Sequence, residues 1–323
     1  MLAVSGTLPV RQADWGYEVK WDGMRTLAYL PGHPDAAGPA GTPLLRSRSG
    51  RDVSAQYPEL EVLATLLPPG TDAVLDGEIV VLGEDGTPSF GLLQERMNLT
   101  RPAVVRRLAE ARPVTLMVFD LLWCGGERLT ARPYRERRAR LAELGFAHPR
   151  VQAPPHWEGA GTTAWQWTRR AGLEGVMAKR LSSPYRPGVR SRDWVKVKHL
   201  RTVDVVIGGW VPEGPRAVFC QSLLLGLPEE DGGLRYVGRV GTGFTERDRR
   251  HLADLLRPLR RPAPVFSGGR SRLRAEAPQL VRWVCPVLGC EVAYTAMTDA
   301  GHLRHPVWRG LREVPGAGAR QAG

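Results

Sequence analysis

Of the 45 basic residues in this 323-residue chain, only four are lysine: Lys20, Lys179, Lys196 and Lys198. The rest are arginine. A chain so biased toward arginine has exchanged lysine wherever any positive charge serves, so the positions that keep lysine ask for an amine. A guanidinium stays protonated inside a protein and is no nucleophile, whereas a lysine amine can lose its proton and attack. The four lie in three local patterns, EVKWDGMR, LEGVMAKR and DWVKVK. Chance survival of four lysines is the bland alternative.

Each constellation has two readings. Lys20 closes an expected strand ahead of an Asp-Gly turn, with Asp22 and Arg25 within a few residues. A neighbouring arginine favours the neutral amine and can also hold phosphate; the same pattern fits a strand–turn with solvated charges. Asp76-Gly77-Glu78 interrupts the apolar run AVLDGEIVVL. Glu78 could accept from a hydroxyl or bind a metal, or the three could form a tight turn with exposed acids. Phe119-Asp120 is expected at a strand end, where Phe119 could stack on a base or simply fill a core. Glu174 opens an apolar strand five residues before Lys179, a place for a metal or a metal-bound water. In DWVKVK, alternation puts Lys196 and Lys198 on one face, either as a phosphate-holding pair or as the charged margin of an edge strand. None of these is specific alone. The order amine, acid, aromatic, acid, paired amines is.

The elements that must position these residues follow from periodicity and punctuation. Residues 114–122, 174–180 and 193–199 read as strands, and 101–112, 133–145 and 162–172 as helices, with Gly145 closing the second helix. Residues 31–43, PGHPDAAGPAGTP, read as a loop. From Val203 the texture changes to about five short strands with one helix, TERDRRHLADLL, the pattern of a small β-barrel. The boundary is expected at 199–203 and the tail VPGAGARQAG is expected to be disordered. No apolar run approaches the roughly 18 residues of a membrane span, and the N-terminus lacks a secretory pattern, so a cytoplasmic location is expected. Cys124, Cys220, Cys285 and Cys290 have no CxxC spacing and read as free thiols. The net charge of +12 points to a polyanionic partner, with arginine coding bias as the alternative.

Taken in order, these motifs resemble the covalent nucleotidyltransferases: DNA ligases, RNA ligases and capping enzymes. Lys20-Trp21-Asp22-Gly23-Met24-Arg25 matches KxDGxR, and Ser47-Arg48-Ser49-Gly50 looks like the SRxG element after it. Asp76-Gly77-Glu78, Phe119-Asp120, Glu174-Gly175 with Lys179, and Lys196-Val197-Lys198 match the later motifs. SPYRPGVRSRDWVKVK, LRYVGRVGTGF and LRHPVWRGLR are most similar to ATP-dependent bacterial DNA ligases, especially the ligase module of end-joining ligases, and LRHPxxxGLR favours DNA ligase over capping enzyme.

The resemblance implies an α+β fold: an adenylation (nucleotidyltransferase) domain over 1–200, with ATP-grasp-like antiparallel sheets and helices, then an OB-fold barrel over 201–313 and a disordered tail over 314–323. It implies ATP as substrate and Mg²⁺ as cofactor, with Mn²⁺ possible. Lys20 is the implied nucleophile and Glu174 the metal carboxylate. The implied nucleotide-binding residues are Glu18, Arg25, Glu78, Phe119, Lys179, Lys196, Lys198 and Arg304, with Glu78 on the ribose, Phe119 on adenine and Arg304 swinging in from the barrel. Arg48 is implied to hold a DNA 5′-phosphate. Nicked or broken double-stranded DNA is the implied partner of a monomeric enzyme, aided by Ku and a separately encoded repair polymerase. The alternatives are an RNA ligase or capping-type enzyme, and a nick-binding scaffold that has lost catalysis. Glu313 is followed by Val314 and Pro315 where the family carries an acidic pair and a lysine, which implies slower self-adenylation.

Lys20→Arg is expected to abolish transfer of nucleotide to the protein, whereas Lys198→Arg retains part of it. Incubation with α-labelled ATP and Mg²⁺, followed by denaturation, measures the label; equal loss in both variants contradicts the division.

Overall fold

The computed structural model describes residues 1–30, 41–68, 71–146, 148–214, 219–267, 281–298 and 300–314. Most of the expected loop 31–43 and all of the tail beyond 314 lie outside the described residues. Contacts divide the chain into two compact units, Met1–His199 and Leu200–Gly323.

The first unit runs β1 (Leu2–Ser5), β2 (Trp15–Val19), β3 (Met24–Tyr29), β4 (Leu44–Ser47), β5 (Ala73–Val81), α1 (Phe90–Arg96), α2 (Pro102–Ala111), β6 (Val114–Cys124), β7 (Glu127–Arg128), α3 (Tyr134–Glu143), β8 (Val151–Gln152), β9 (Trp157–Glu158), α4 (Gly161–Arg170), β10 (Gly175–Arg180) and β11 (Arg190–Lys198). One sheet has the order β1-β11-β10-β2-β9, with β1 parallel to β11 and the other pairs antiparallel. The other has the order β4-β3-β5-β6-β7, with β8 joining β6 in parallel.

Period-two alternation decides which face of the first sheet is apolar. Val19, Val176 and Val197 are cross-strand partners, as are Tyr17, Ala178 and Val195. Tyr17, Val176, Ala178, Val195 and Val197 pack with Ala164 of α4 into one core. The intervening residues, Glu18, Met177 and Lys196, form a row on the opposite face. In the second sheet, Leu75, Ile79 and Val81 of β5 join Leu116, Val118 and Leu121 of β6 in the largest core, closed by Leu60 and Leu63 of a 3₁₀ segment over Pro58–Thr65. Val74, Asp76 and Glu78 point the other way. Val74 and Leu122 meet Met1, Tyr185 and Trp194 of the first sheet's side in a smaller cluster, so the two sheets face one another.

The structure decides one open alternative and corrects one expectation. Residues 73–81 form one continuous strand with Asp76 fully buried, which excludes the alternative of a tight turn with exposed acids. Phe119-Asp120 lies inside β6, not at its end. Asp76 pairs with Asp120 and Gly77 with Val118, which leaves Phe119 as the extra residue of a β-bulge. A bulge bends its strand and re-aims the side chain it carries.

The second unit comprises β12 (Arg201–Pro212), β13 (Cys220–Pro228), β14 (Leu234–Val240), α5 (Glu246–Leu256), β15 (Arg282–Trp283), β16 (Gly289–Tyr294), β17 (Ala296–Met297), β18 (Leu303–Arg304) and β19 (Val307–Arg312). Its antiparallel sheet has the order β14-β13-β12-β16-β19, with β15 also pairing β12. Thr245 and Asp248 form a reciprocal capping box that starts α5, whose Leu252, Ala253 and Leu256 reach the core of the sheet. The fold is thus α+β. No helix among the described residues is long and apolar enough to cross a membrane.

Candidate active site

The two sheets of the first unit enclose a pocket lined by Glu18, Lys20, Arg25, Glu78, Phe119, Met177, Lys179 and Trp194, among others. Lys20 stands one residue beyond β2, its N–H donating to the Gly175 carbonyl at 2.9 Å. Its ammonium is paired with Glu174 Oε2, while Lys198 Nζ lies 2.7 Å from Oε1 of the same carboxylate. One acid thus gathers two amines from two strands. Burial raises the Glu174 pKa, but Lys20 and Lys198 outweigh it and hold the carboxyl below its ordinary range.

Two glycines permit this approach. Gly175 has φ +151°, and a Cβ there would lie 2.1 Å from the Val197 carbonyl oxygen. A Cβ on Gly23 would lie 2.2 Å from the Ile79 carbonyl oxygen, so only glycine lets the chain after Lys20 pass against β5.

Lys179 is 1 % exposed. Its Nζ lies 2.6 Å from Glu18 Oε2 and donates to the Phe119 carbonyl at 3.1 Å. It also sits 4.4 Å from the ring centroids of both Phe119 and Trp194 and 5.0 Å from Tyr134. The Tyr134 hydroxyl donates to the other Glu18 oxygen, and burial keeps that phenol well above its ordinary pKa and so protonated. Burial draws Lys179 below the usual ammonium range, against the pull of Glu18 and Asp120.

Beneath the pocket, Asp76 and Asp120 face one another across β5 and β6, both fully buried. Each is held by its own arginine fork. Arg25 donates to Asp76 at 3.0 and 2.7 Å, and Arg137 to Asp120 at 2.7 and 3.0 Å. The Tyr185 hydroxyl donates to Asp76 Oδ2 at 2.8 Å. Arg25 therefore lines the pocket with its fork already engaged, its guanidinium 5.7 Å from the Phe119 centroid.

Glu78 is only partly accessible, and burial pushes its carboxyl up to about 8, against the opposing pull of Lys20 and Arg25. Partial burial, then Lys198 and Lys20, draws Lys196 down. Trp194, Lys196 and Lys198 share one face of β11, as alternation requires.

The structure thus brings together Glu18, Lys20, Arg25, Glu78, Phe119, Glu174, Lys179, Lys196 and Lys198. Arg48 lies apart, on the wall of a second, shallower pocket in the same unit. Arg304 lies in the second unit, on β18. Sequence reasoning missed Tyr134, Arg137, Tyr185 and Trp194. Only Trp194 had a local signal, standing two residues before Lys196 on an alternating strand.

Residues 1–198 match the family model described as ATP dependent DNA ligase domain, and residues 216–315 match ATP dependent DNA ligase C terminal region. The chain is 41% identical over 314 residues to the multifunctional non-homologous end joining DNA repair protein LigD of Mycobacterium tuberculosis, covering 97% of this chain but 38% of that protein. It is 35% identical over 328 residues to DNA ligase C1 of Mycolicibacterium smegmatis, covering 95% of this chain and 88% of that one. Among solved structures it resembles mycobacterial DNA ligase D complexed with ATP and MES, at 39% identity and a TM-score of 0.56, covering 97% of this chain and 94% of that chain.

The raised Glu78 pKa predicts a pH dependence of stability. The unfolded carboxyl loses its proton near 4.5, the folded one near 8, so the folded protein holds the extra proton in between. Stability therefore falls as pH rises through that window, and Glu78→Gln removes the fall. Urea unfolding at pH 5 and pH 8.5 is expected to show the variant gaining on the original chain by on the order of a few kcal/mol at the higher pH. A difference that does not change with pH contradicts the assignment.

Proposed function

Because the chain belongs to the ATP-dependent DNA ligase family, we propose that it seals 5′-phosphate/3′-hydroxyl breaks in DNA through AMP carried on Lys20. The observation that carries this reading is the sharing of Glu174 between Lys20 and Lys198, in a pocket walled by Phe119 and Trp194. A nucleophilic amine and a phosphate-neutralising amine are held on either side of one carboxylate.

In the first step the Lys20 amine, freed of its proton and of Glu174, attacks the α-phosphorus of ATP. A nitrogen–phosphorus bond forms and the bond to pyrophosphate breaks. The AMP then passes to the DNA 5′-phosphate, and the 3′-hydroxyl attacks that phosphate and expels AMP. Each step is an in-line displacement in which positioning and charge neutralisation do most of the catalysis. Lys198 and Lys196 lie on the strand face where the α-phosphate charge develops. Phe119, re-aimed by its bulge, stacks on adenine, and Glu78 takes the ribose. The Trp194 indole N–H is buried with no hydrogen-bond partner among the described residues, a donor left for the nucleotide. Arg25, fixed by Asp76, holds its guanidinium under the same ligand. Glu18 and Lys179 form the floor. Arg48 takes the DNA 5′-phosphate.

The acids present fit a divalent cation that leans on its substrate. Among the described residues no three potential ligands cluster; Glu174 offers a hard oxygen beside Lys20. Mg²⁺ keeps several waters and is commonly held by one or two carboxylates plus substrate phosphates. When bound, it supplies neutralisation of phosphate charge, and Mn²⁺ suits the same oxygen.

End joining is proposed on the likeness to LigD, of which this chain spans 38%. Ku and a separate repair polymerase are proposed as its partners on the same likeness, with a nucleoid-associated location in the cytoplasm. The second unit is proposed as an OB-fold barrel, supported by its antiparallel five-strand order and the capped helix α5. The match of residues 216–315 to a DNA ligase C-terminal region weighs against a capping enzyme.

Sealing of nicks in DNA/DNA, RNA/DNA and RNA/RNA duplexes, with ATP and Mg²⁺, tests the reading. DNA strands are expected to be joined most efficiently. Joining of RNA strands only, or covalent labelling from GTP in preference to ATP, overturns it.

A further inference from the structure

The pocket that holds Arg48 is not a generic cationic surface. Met24, Val53 and Met97 contribute apolar side chains to it, and Arg48, Arg51 and Asn98 stand around them. Three other arginines of this unit, Arg25, Arg96 and Arg137, are locked by acids, each in bidentate contact with a carboxylate. Arg48 and Arg51 converge on one pocket, and among the described residues neither has an acidic ion-pair partner. Two like charges brought together without a counter-charge invite an anion.

Arg51 is also built into place. Its Nη2 donates to Asn98 Oδ1 at 2.8 Å. Asn98 adopts φ 59°, one of two positive-φ residues other than glycine among the described residues. A left-handed backbone costs energy unless its surroundings impose it. Here the Asn98 N–H donates to the Gln56 side-chain carbonyl at 3.1 Å, which helps to hold the turn. That turn aims the Asn98 carbonyl at Arg51. The result is a guanidinium held at the pocket by a neutral oxygen, with its charge uncompensated. Arg48 lies three residues earlier, across a tight turn in which Gly50 N–H donates to the Ser47 carbonyl at 2.8 Å.

We propose that the Arg51–Asn98 pair is a second phosphate clamp, which holds the phosphodiester immediately 3′ of the 5′-terminal nucleotide while Arg48 holds the 5′-phosphate itself. The deoxyribose between those two phosphates lies on Met24, Val53 and Met97. Met24 is on the strand that carries Arg25, so the clamp places the downstream strand directly beside the nucleotide pocket. This rests on the DNA-sealing reading above. It adds to it the path of the strand that receives AMP and the residues that fix its register.

The test is equilibrium binding of the full chain to nicked duplexes that carry, at that one phosphodiester, either the normal phosphate or a neutral methylphosphonate. Arg51→Gln removes the charge. Asn98→Gly keeps the positive-φ backbone without strain and removes only the tether, so its loss of binding is not a loss of fold. The unaltered chain is expected to lose about tenfold in affinity on the methylphosphonate nick. Both variants are expected to lose a similar factor on the normal nick and to lose little more on the methylphosphonate nick. For Arg51→Gln, the slope of log affinity against log salt is expected to fall by about one. Variants that bind like the unaltered chain, or that lose as much on the methylphosphonate as it does, overturn the clamp. If instead the unaltered chain binds nicked DNA no better than intact duplex and takes no label from ATP, the sealing reading itself fails and the clamp falls with it.

Discussion

A buried ammonium organises the pocket between the two sheets. Lys179 is removed from water, and three rings, one carboxylate and one backbone carbonyl make its charge tolerable. Those five groups come from both sheets. Glu18 and Trp194 belong to the first sheet, Phe119 to the second, and Tyr134 to the helix α3 that follows it. Stripping any one away leaves a charge or a polar group without its partner in a low-dielectric site, which is costly. The cage therefore fixes the spacing of the sheets and with it the width of the slot between them. Lysine suits the place because a compact ammonium can donate to a carboxylate and a carbonyl while lying against aromatic faces, whereas a flat guanidinium fork needs a different shape. Of the four lysines, Lys179 is the one whose reason is structural.

The bulge at Phe119 ties this cage to the chemistry. An unbulged β6 would keep the Phe119 carbonyl in the ladder and alternate its ring regularly with its neighbours. The extra residue frees that carbonyl for Lys179 and turns the ring to the pocket. It also sets Asp120 directly opposite Asp76, two buried carboxylates that repel unless each has a cation. Arg25 and Arg137 supply those cations in bidentate form, and the fork of Arg25 is thereby fixed at the pocket wall. Above this rigid floor Glu174 holds Lys20 and Lys198 together, one amine on each carboxylate oxygen.

How much of this was legible in the sequence follows from where the partners lie. Lys20, Glu174, Lys196 and Lys198 announce themselves through short-range patterns, because they stand at strand ends and on one face of a strand. Their strands and the helices 102–111, 134–143 and 161–170 could be read from periodicity. The buried network could not. Arg25 meets Asp76 across 51 residues of chain, Asp76 meets Tyr185 across 109, and Glu18 meets Tyr134 across 116. Nothing local marks such pairs. A turn at Asp76-Gly77-Glu78 stayed open as an alternative because acids beside glycine commonly form one, and burial of Asp76 depends on an arginine that only the fold delivers. The bulge was invisible for the same reason: it is a relation between two strands, not a property of one.

The role of Lys179 is therefore the claim on which the rest stands. The direct measurement is urea unfolding together with ATP-dependent covalent labelling, for Lys179→Met and for Lys179→Met combined with Glu18→Gln. The single variant leaves the Glu18 carboxylate buried and unpaired, and is expected to lose about 3–5 kcal/mol. The double variant removes that charge and is expected to regain much of the stability, yet neither is expected to form the lysyl–AMP adduct at more than a small fraction of the original level. A single variant as stable and as readily labelled as the original chain contradicts the account.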